Sequence, residues 1–185
     1  MTDSMPTAAE LLGSRRRVLV TGGAGFIGGA VVRRLLKESE AIVFNLDKMG
    51  YASDLTSIEA VLSELGERAE QRHVLQRVDL ADAKAVREAV KAADPDLVMH
   101  LAAESHVDRS IAGPGVFIES NVTGTYNLLQ AVREHVEGLS GDRQENFRLH
   151  HISTDEGFGS LGAEGRFSET TPYDPRSPYS SSKAA

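Results

Sequence analysis

Val18-Leu19-Val20-Thr21-Gly22-Gly23-Ala24-Gly25-Phe26-Ile27-Gly28 is the stretch on which the fold turns. Its first four residues are apolar or β-branched and stop at a pair of glycines, as a buried strand does. From Phe26 the spacing changes: Ile27, Val31 and Leu35 recur at helical intervals, so a helix is expected over 26–38. The glycines between satisfy G-x-G-x-x-G when read from Gly23, and recur every third residue when read from Gly22. Such a turn lets the backbone approach a pyrophosphate. The helix after it offers unpaired N–H groups and the positive end of its dipole. Glycines also make ordinary turns, so the pattern needs context.

The context is a strand–helix alternation. Strands are expected over 18–21, 41–46, 74–78, 96–101 and 147–152. Helices are expected over 26–38, 55–65, 82–92 and 116–137. Asp82 is placed to cap its helix, and Asp94-Pro95 breaks the chain before the fourth strand. Repeated units of this size make an α/β fold, a doubly wound parallel sheet with helices on both faces. Residues 1–14 are expected as a loose tail or short helix, and 15–185 as one dinucleotide-binding domain. The Gly/Ser/Pro-rich loop over 157–178 is long enough to expect a function of it.

Composition narrows the field. With 41% hydrophobic and 25% charged residues the sequence is that of an ordinary globular domain. The net charge of −7 excludes a basic nucleic-acid footprint, and no apolar run approaches a membrane span. The first residues lack a basic-then-apolar leader pattern. Zero cysteines exclude disulfides and thiolate metal sites, which fits the cytoplasm. His150 and His151 alternate faces of a strand and cannot share a metal. Asn121-Val122-Thr123 spells a glycosylation acceptor and Ser180-x-x-Lys183 a β-lactamase string. Neither has its proper context here.

Several acids and small residues fall at strand carboxyl ends, where ligands lie in such sheets. Asp47 follows the second strand, about 20 residues after the glycine turn, where a carboxylate accepts bonds from an adenosine ribose. It would repel the 2′-phosphate of NADP and so favours NAD, an effect that Lys48 beside it softens. Asp79-Leu80 ends the third strand, Leu101-Ala102-Ala103-Glu104-Ser105 the fourth, and Ser153-Thr154-Asp155-Glu156 the fifth. Pro178 is a favoured helix opener. A helix from there sets Tyr179 and Lys183 at i and i+4 on one face, an ammonium beside a phenol that must lose its proton to act as a base.

Taken together, residues 21–28, 47–52, 100–111 (HLAAESHVDRSI), 117–126 (FIESNVTGTY), 150–156 (HHISTDE) and 177–184 (SPYSSSKA) resemble the extended short-chain dehydrogenase/reductase superfamily. Within it they are similar to the dTDP-glucose 4,6-dehydratase family. The resemblance covers nearly everything after Arg17. It implies NAD as cofactor, with contacts from Gly22, Gly25, Phe26, Ile27, Gly28, Asp47, Lys48, Met49, Gly50, Asp79, Leu80, Leu101, Ala102, Ala103, Glu104, Ser105, Ser120, Tyr179 and Lys183. It further implies that Tyr179, helped by Lys183, removes the sugar O4 proton while hydride leaves C4 for NAD. Glu156 then abstracts the C5 proton, Asp155 protonates the departing C6 hydroxyl, and hydride returns to C6. Thr154 and Ser105 would contact the nucleotide-sugar substrate, and the whole enzyme would be a homodimer. One carboxyl must be protonated and its neighbour ionised, which two close carboxyls achieve by mutual repulsion.

The Asp155-Glu156 pair separates this reading from related sugar epimerases and decarboxylases. Two other readings stay open: another NAD-dependent nucleotide-sugar epimerase or dehydratase, and a non-catalytic NAD-binding module. Gly157-Phe158 stand where the family has Val-Tyr, so looser positioning of the acids is expected. Ala185 follows Lys183 by two residues, so the chain is expected to be the N-terminal portion of a longer enzyme, inactive alone.

Overall fold

The computed structural model describes residues 5–185. Five parallel strands form one sheet in the order β3-β2-β1-β4-β5, with β1 Arg17–Thr21, β2 Ile42–Asp47, β3 His73–Arg77, β4 Leu97–His100 and β5 Arg148–His151. β1 is central, in register with β2 from Arg17↔Ile42 to Thr21↔Leu46 and with β4 from Val18↔Leu97 to Thr21↔His100. The chain works outward to β3 on one side and to β5 on the other. The crevice where this order reverses opens above β1 and β4, at their carboxyl ends.

Burial matches the pattern of the first apolar run. Val18, Leu19 and Val20 are wholly buried, as expected of a strand covered on both faces. They alternate between two cores. Val18 and Val20 join Val43 and the helices α2 Phe26–Glu38 and α3 Thr56–Leu65 on one face. Leu19 joins Phe44, Leu46 and the helices α5 Ala83–Ala93 and α8 Gly124–Glu137 on the other. Asp82 caps α5 by accepting from the amides of Lys84 and Ala85. Asp94, left-handed at φ 42°, ends α5 just before Pro95.

From Thr7 onward the N-terminal stretch takes the short-helix alternative: Thr7 and Glu10 form a capping box on α1 Ala8–Leu12, and Ala8 and Leu12 enter the first core. Residues 1–4 of that stretch lie outside the described residues. The long helix expected over 116–137 is instead α7 Pro114–Phe117, a π turn over Ile118–Thr123, and α8. The extra residue per turn brings Asn121 inward, 5% exposed. Short helices α4 Glu67–Glu70, α6 Val107–Ala112 and α9 Gly141–Asn146 carry too few residues to show a period.

Candidate active site

The crevice holds a cavity of about 460 Å³. Its floor is the glycine turn. Gly22 has φ 68°, and a Cβ there would stand 2.7 Å from the Ala102 backbone. A Cβ on Gly28 would overlap the Gly22 carbonyl, so α2 can start only where it does if both are glycine. No side chain caps α2, leaving its first amides facing the crevice. Phe26, the first helical residue, is 95% exposed at the rim.

Asp47, 6% exposed, accepts on Oδ2 from the Ala24 amide at 3.0 Å. Its Oδ1 accepts from the Met49 amide at 2.8 Å and from Ser53 Oγ at 2.7 Å. The carboxylate thus ties the glycine turn to the loop after β2, and Met49 takes a left-handed φ of 57° in doing so. Lys48 Nζ reaches across to Glu104 Oε1 at 3.0 Å. Glu104 is held through its own backbone: its amide donates to Asn121 Oδ1, and its carbonyl accepts from Asn121 Nδ2. Asn121 Nδ2 also donates to Ser182 Oγ, which donates to the Tyr179 carbonyl. Buried and fully used, Asn121 is no glycan acceptor.

Beneath the turn, Thr21 Oγ1 accepts from the Ala102 amide and lies 2.6 Å from His100 Nδ1. His100 Nε2 lies 2.9 Å from Thr125 Oγ1. Burial, with the His151 ring and Lys183 nearby as further positive groups, pushes the His100 pKa down to about 3, so it is a neutral peg between β1, β4 and α8.

At the far end of the cavity, α10 Pro178–Ala184 opens with proline inside a Ser177–Ser180 capping box. Tyr179 and Lys183 both line the cavity. Lys183 Nζ donates to the Ile152 carbonyl at 2.7 Å, and burial lowers its pKa from the ordinary lysine value. Tyr179 sets its ring edge against Phe117.

Gly22, Gly25, Phe26, Ile27, Gly28, Asp47, Lys48, Gly50, Asp79, Leu80, Leu101 to Ser105 and Ser120 line this same cavity; Met49 does not. Thr154, Asp155 and Glu156 lie outside the lining, on a 3-10 turn over Asp155–Phe158 that Thr154 caps, with both acids exposed. Leu46, Tyr51, Ala52, Ser53, Val78, His106, Ile152 and Ser153 also line it, though the sequence gives them no site role. Ser53, His106 and Ser153 sit in loops after β2, β4 and β5, a position that alone signals them. Gly157 has an ordinary φ, and Phe158 stacks on Tyr173 at 5.1 Å.

The GDP-mannose 4,6 dehydratase family model matches residues 19–185. The chain belongs to that family. Among this family member's relatives, a dTDP-glucose 4,6-dehydratase of Neisseria meningitidis is 47% identical over 92% of this chain and 46% of that protein. A dTDP-glucose 4,6-dehydratase of Escherichia coli is 47% identical over 91% of this chain and 48% of its own length. The chain spans about half the length of the curated relatives it matches. A Streptomyces venezuelae dTDP-glucose 4,6-dehydratase solved with NAD bound has a TM-score of 0.73 and 40% identity over 91% of this chain and 48% of that one. A Thermus thermophilus UDP-glucose 4-epimerase in complex with NAD has a TM-score of 0.70 and 32% identity, over 91% and 47%. Among the described residues no helix is long and apolar enough to cross a membrane.

Proposed function

We propose that this chain is the dinucleotide-binding part of an NAD-dependent nucleotide-sugar 4,6-dehydratase acting on dTDP-glucose. The observation that carries the reading is one cavity lined at one end by the glycine turn and Asp47 and at the other by Tyr179 and Lys183. The fit to a dinucleotide rests on the floor, where no Cβ is accommodated at Gly22 or Gly28, and on the uncapped amides of α2. Gly22, Gly25 to Gly28, Asp47 and the small residues after β4 would hold it. Bound NAD supplies a hydride acceptor that later returns the hydride, so the reaction is redox-neutral overall.

The chain's own groups handle the protons. Tyr179 takes the O4 proton of the sugar, with the Lys183 ammonium one turn away favouring the phenolate. The ketone formed at C4 acidifies the C5–H bond. Glu156 removes that proton, Asp155 protonates the C6 hydroxyl as it departs as water, and Glu156 gives its proton back to C5 once C6 has regained hydride. Thr154 donates to the C4 oxygen and Ser105 contacts the sugar. The adjacent acids and their relatives' names support dehydration over epimerisation. We further propose a homodimer, supported by exposed Ile118, Tyr126 and Leu129 along the π turn and α8, and a cytoplasmic location, in keeping with the cysteine-free sequence.

Calorimetric titration of the chain with NAD+ tests the first half; no heat at millimolar NAD+ with a folded chain would overturn it. For the second half, the whole gene product is given dTDP-glucose and the sugar nucleotide followed by mass spectrometry for loss of one water. Glu156→Gln is expected to slow that loss by about 10² to 10⁴-fold with NAD+ affinity retained. Inversion at C4 without water loss would identify an epimerase. The 185-residue chain alone is expected to bind NAD+ without turnover.

A further inference from the structure

Lys48 pulls against selectivity for NAD. A lysine directly after the ribose-facing acid is a cation in position to accept a 2′-phosphate, which Asp47 alone would reject. The structure gives that lysine a partner from the opposite wall. Lys48 Nζ sits 3.0 Å from Glu104 Oε1, and Glu104, 7% exposed, is fixed at both its amide and its carbonyl by Asn121. The Tyr51 hydroxyl lies 3.5 Å from the second Glu104 oxygen, with the Arg109 guanidinium stacked 3.8 Å above the tyrosine ring. Asp47, Lys48 and Glu104 all line the cavity.

We infer that Glu104 is a cofactor-specificity residue: by holding the Lys48 ammonium it withholds the cation that a 2′-phosphate would need beside Asp47, and so keeps the cleft selective for NAD over NADP. The inference rests on the dinucleotide reading above. Two properties of the site make the device effective. Asp47 is pinned by three donors, Ala24, Met49 and Ser53, so its carboxylate cannot turn away from a phosphate. Glu104 is held by its main chain, so it cannot follow Lys48 toward one. The site therefore presents a fixed negative charge and a neutralised pair. Losing the Glu104 charge would leave Lys48 unpaired in a partly buried place, where an incoming phosphate dianion is its natural partner.

The test is calorimetric titration of the full chain with NAD+ and, separately, with NADP+, reading the ratio of the two dissociation constants. Wild type is expected to favour NAD+. Glu104→Gln keeps the size and a hydrogen-bond acceptor, and is expected to shrink the ratio by about tenfold or more through tighter NADP+ binding. Adding Lys48→Met to that variant is expected to restore the ratio. A folded Glu104→Gln protein whose ratio moves by less than about threefold overturns the inference. So does a double variant that keeps the gain, because the cation would then be Arg109. Should Glu104→Gln fail to fold, Glu104→Asp decides: it keeps the charge but draws it back from Lys48, so NADP+ is expected to bind about threefold or more tightly, and an unchanged NADP+ affinity overturns the inference. Wild type that binds neither dinucleotide overturns the reading of the cleft as well, whereas wild type that binds NAD+ isolates a failure to Glu104.

Discussion

At the amino ends of the strands, Asp96 accepts from the amides of Arg16 and Arg17 on one oxygen and from Arg143 Nε on the other. Arg143 also pairs with Asp94, and Arg17 donates to the Ala93 carbonyl while lying over the Phe44 ring. At the carboxyl ends, Asp47 is held just as firmly, but by a glycine turn and a loop that border an open cavity. Both ends use a carboxylate to fix backbone amides. At the amino end those bonds close the sheet against its helices. At the carboxyl end they keep a gap from closing. Acid–amide bonds therefore do not distinguish stability from function; what they border does.

The strongest way to break this contrast is at the turn. Gly22→Ala forces a Cβ into a left-handed backbone, at about 1–2 kcal/mol, and into contact with Ala102. We expect destabilisation of roughly 3 kcal/mol in urea unfolding and NAD+ affinity reduced beyond about 100-fold. Affinity kept within tenfold would mean the turn does not carry the ligand.

His100 belongs to the carboxyl end, where it pegs β1 and β4 together under the turn. Its folded pKa, about 3, lies below its ordinary value of 6.5 because of burial, then His151, then Lys183. The unfolded chain therefore takes the proton first. Stability from this group is full above pH 6.5 and falls as pH drops from there toward 3, by roughly 1.4 kcal/mol per unit. Between pH 7.5 and 5 wild type should lose about 2 kcal/mol through this group. His100→Asn starts less stable but should lose correspondingly less over that interval. Equal losses would show that the histidine is not held neutral.

Asp96→Ala sharpens the contrast from the other side. It removes the acceptor of two strand amides and a partner of Arg143, so destabilisation of about 2 kcal/mol is expected. NAD+ affinity should stay within about twofold, because nothing at that end borders the cavity. The acid limb should change too. Burial acts to raise the Asp96 pKa, but the Arg16 and Arg17 amides and Arg143 outweigh it and hold it below the usual value. Its contribution is thus present above about pH 4 and lost as pH falls further, a loss the variant lacks.

What the sequence disclosed follows from which interactions are local. The strand–turn–helix at 18–38 is written in consecutive residues, so its glycines and Asp47 were legible. The π turn was not. Asn121 faces inward to meet Glu104 and Ser182, neighbours in space but far along the chain, and no periodicity announces them. α1 was legible only as one of two alternatives, because Ala8 and Leu12 gain a role from the core they reach. Lys48 was visible as a cation beside Asp47. That it is neutralised depends on Glu104, brought across from β4.

The smallest expected effect concerns Gly157, read from sequence as loosening the acids beside it. Its φ is ordinary and a Cβ there would meet Tyr173 at 3.7 Å, a normal contact. The turn is already fastened by the Thr154 cap and by the Asp174 amide donating to the Gly157 carbonyl, while Phe158 stacks on Tyr173. Alanine fits this backbone and restricts only the unfolded chain, so Gly157→Ala should stabilise by about 0.4–1 kcal/mol. NAD+ affinity should not change, since Gly157 lies outside the cavity lining. If the folded turn is as well determined as its bonds imply, turnover of the whole gene product should rise by less than about threefold. A tenfold rise would mean that the glycine leaves Asp155 and Glu156 wandering, and that this rim of the cleft is set by its backbone rather than by its packing.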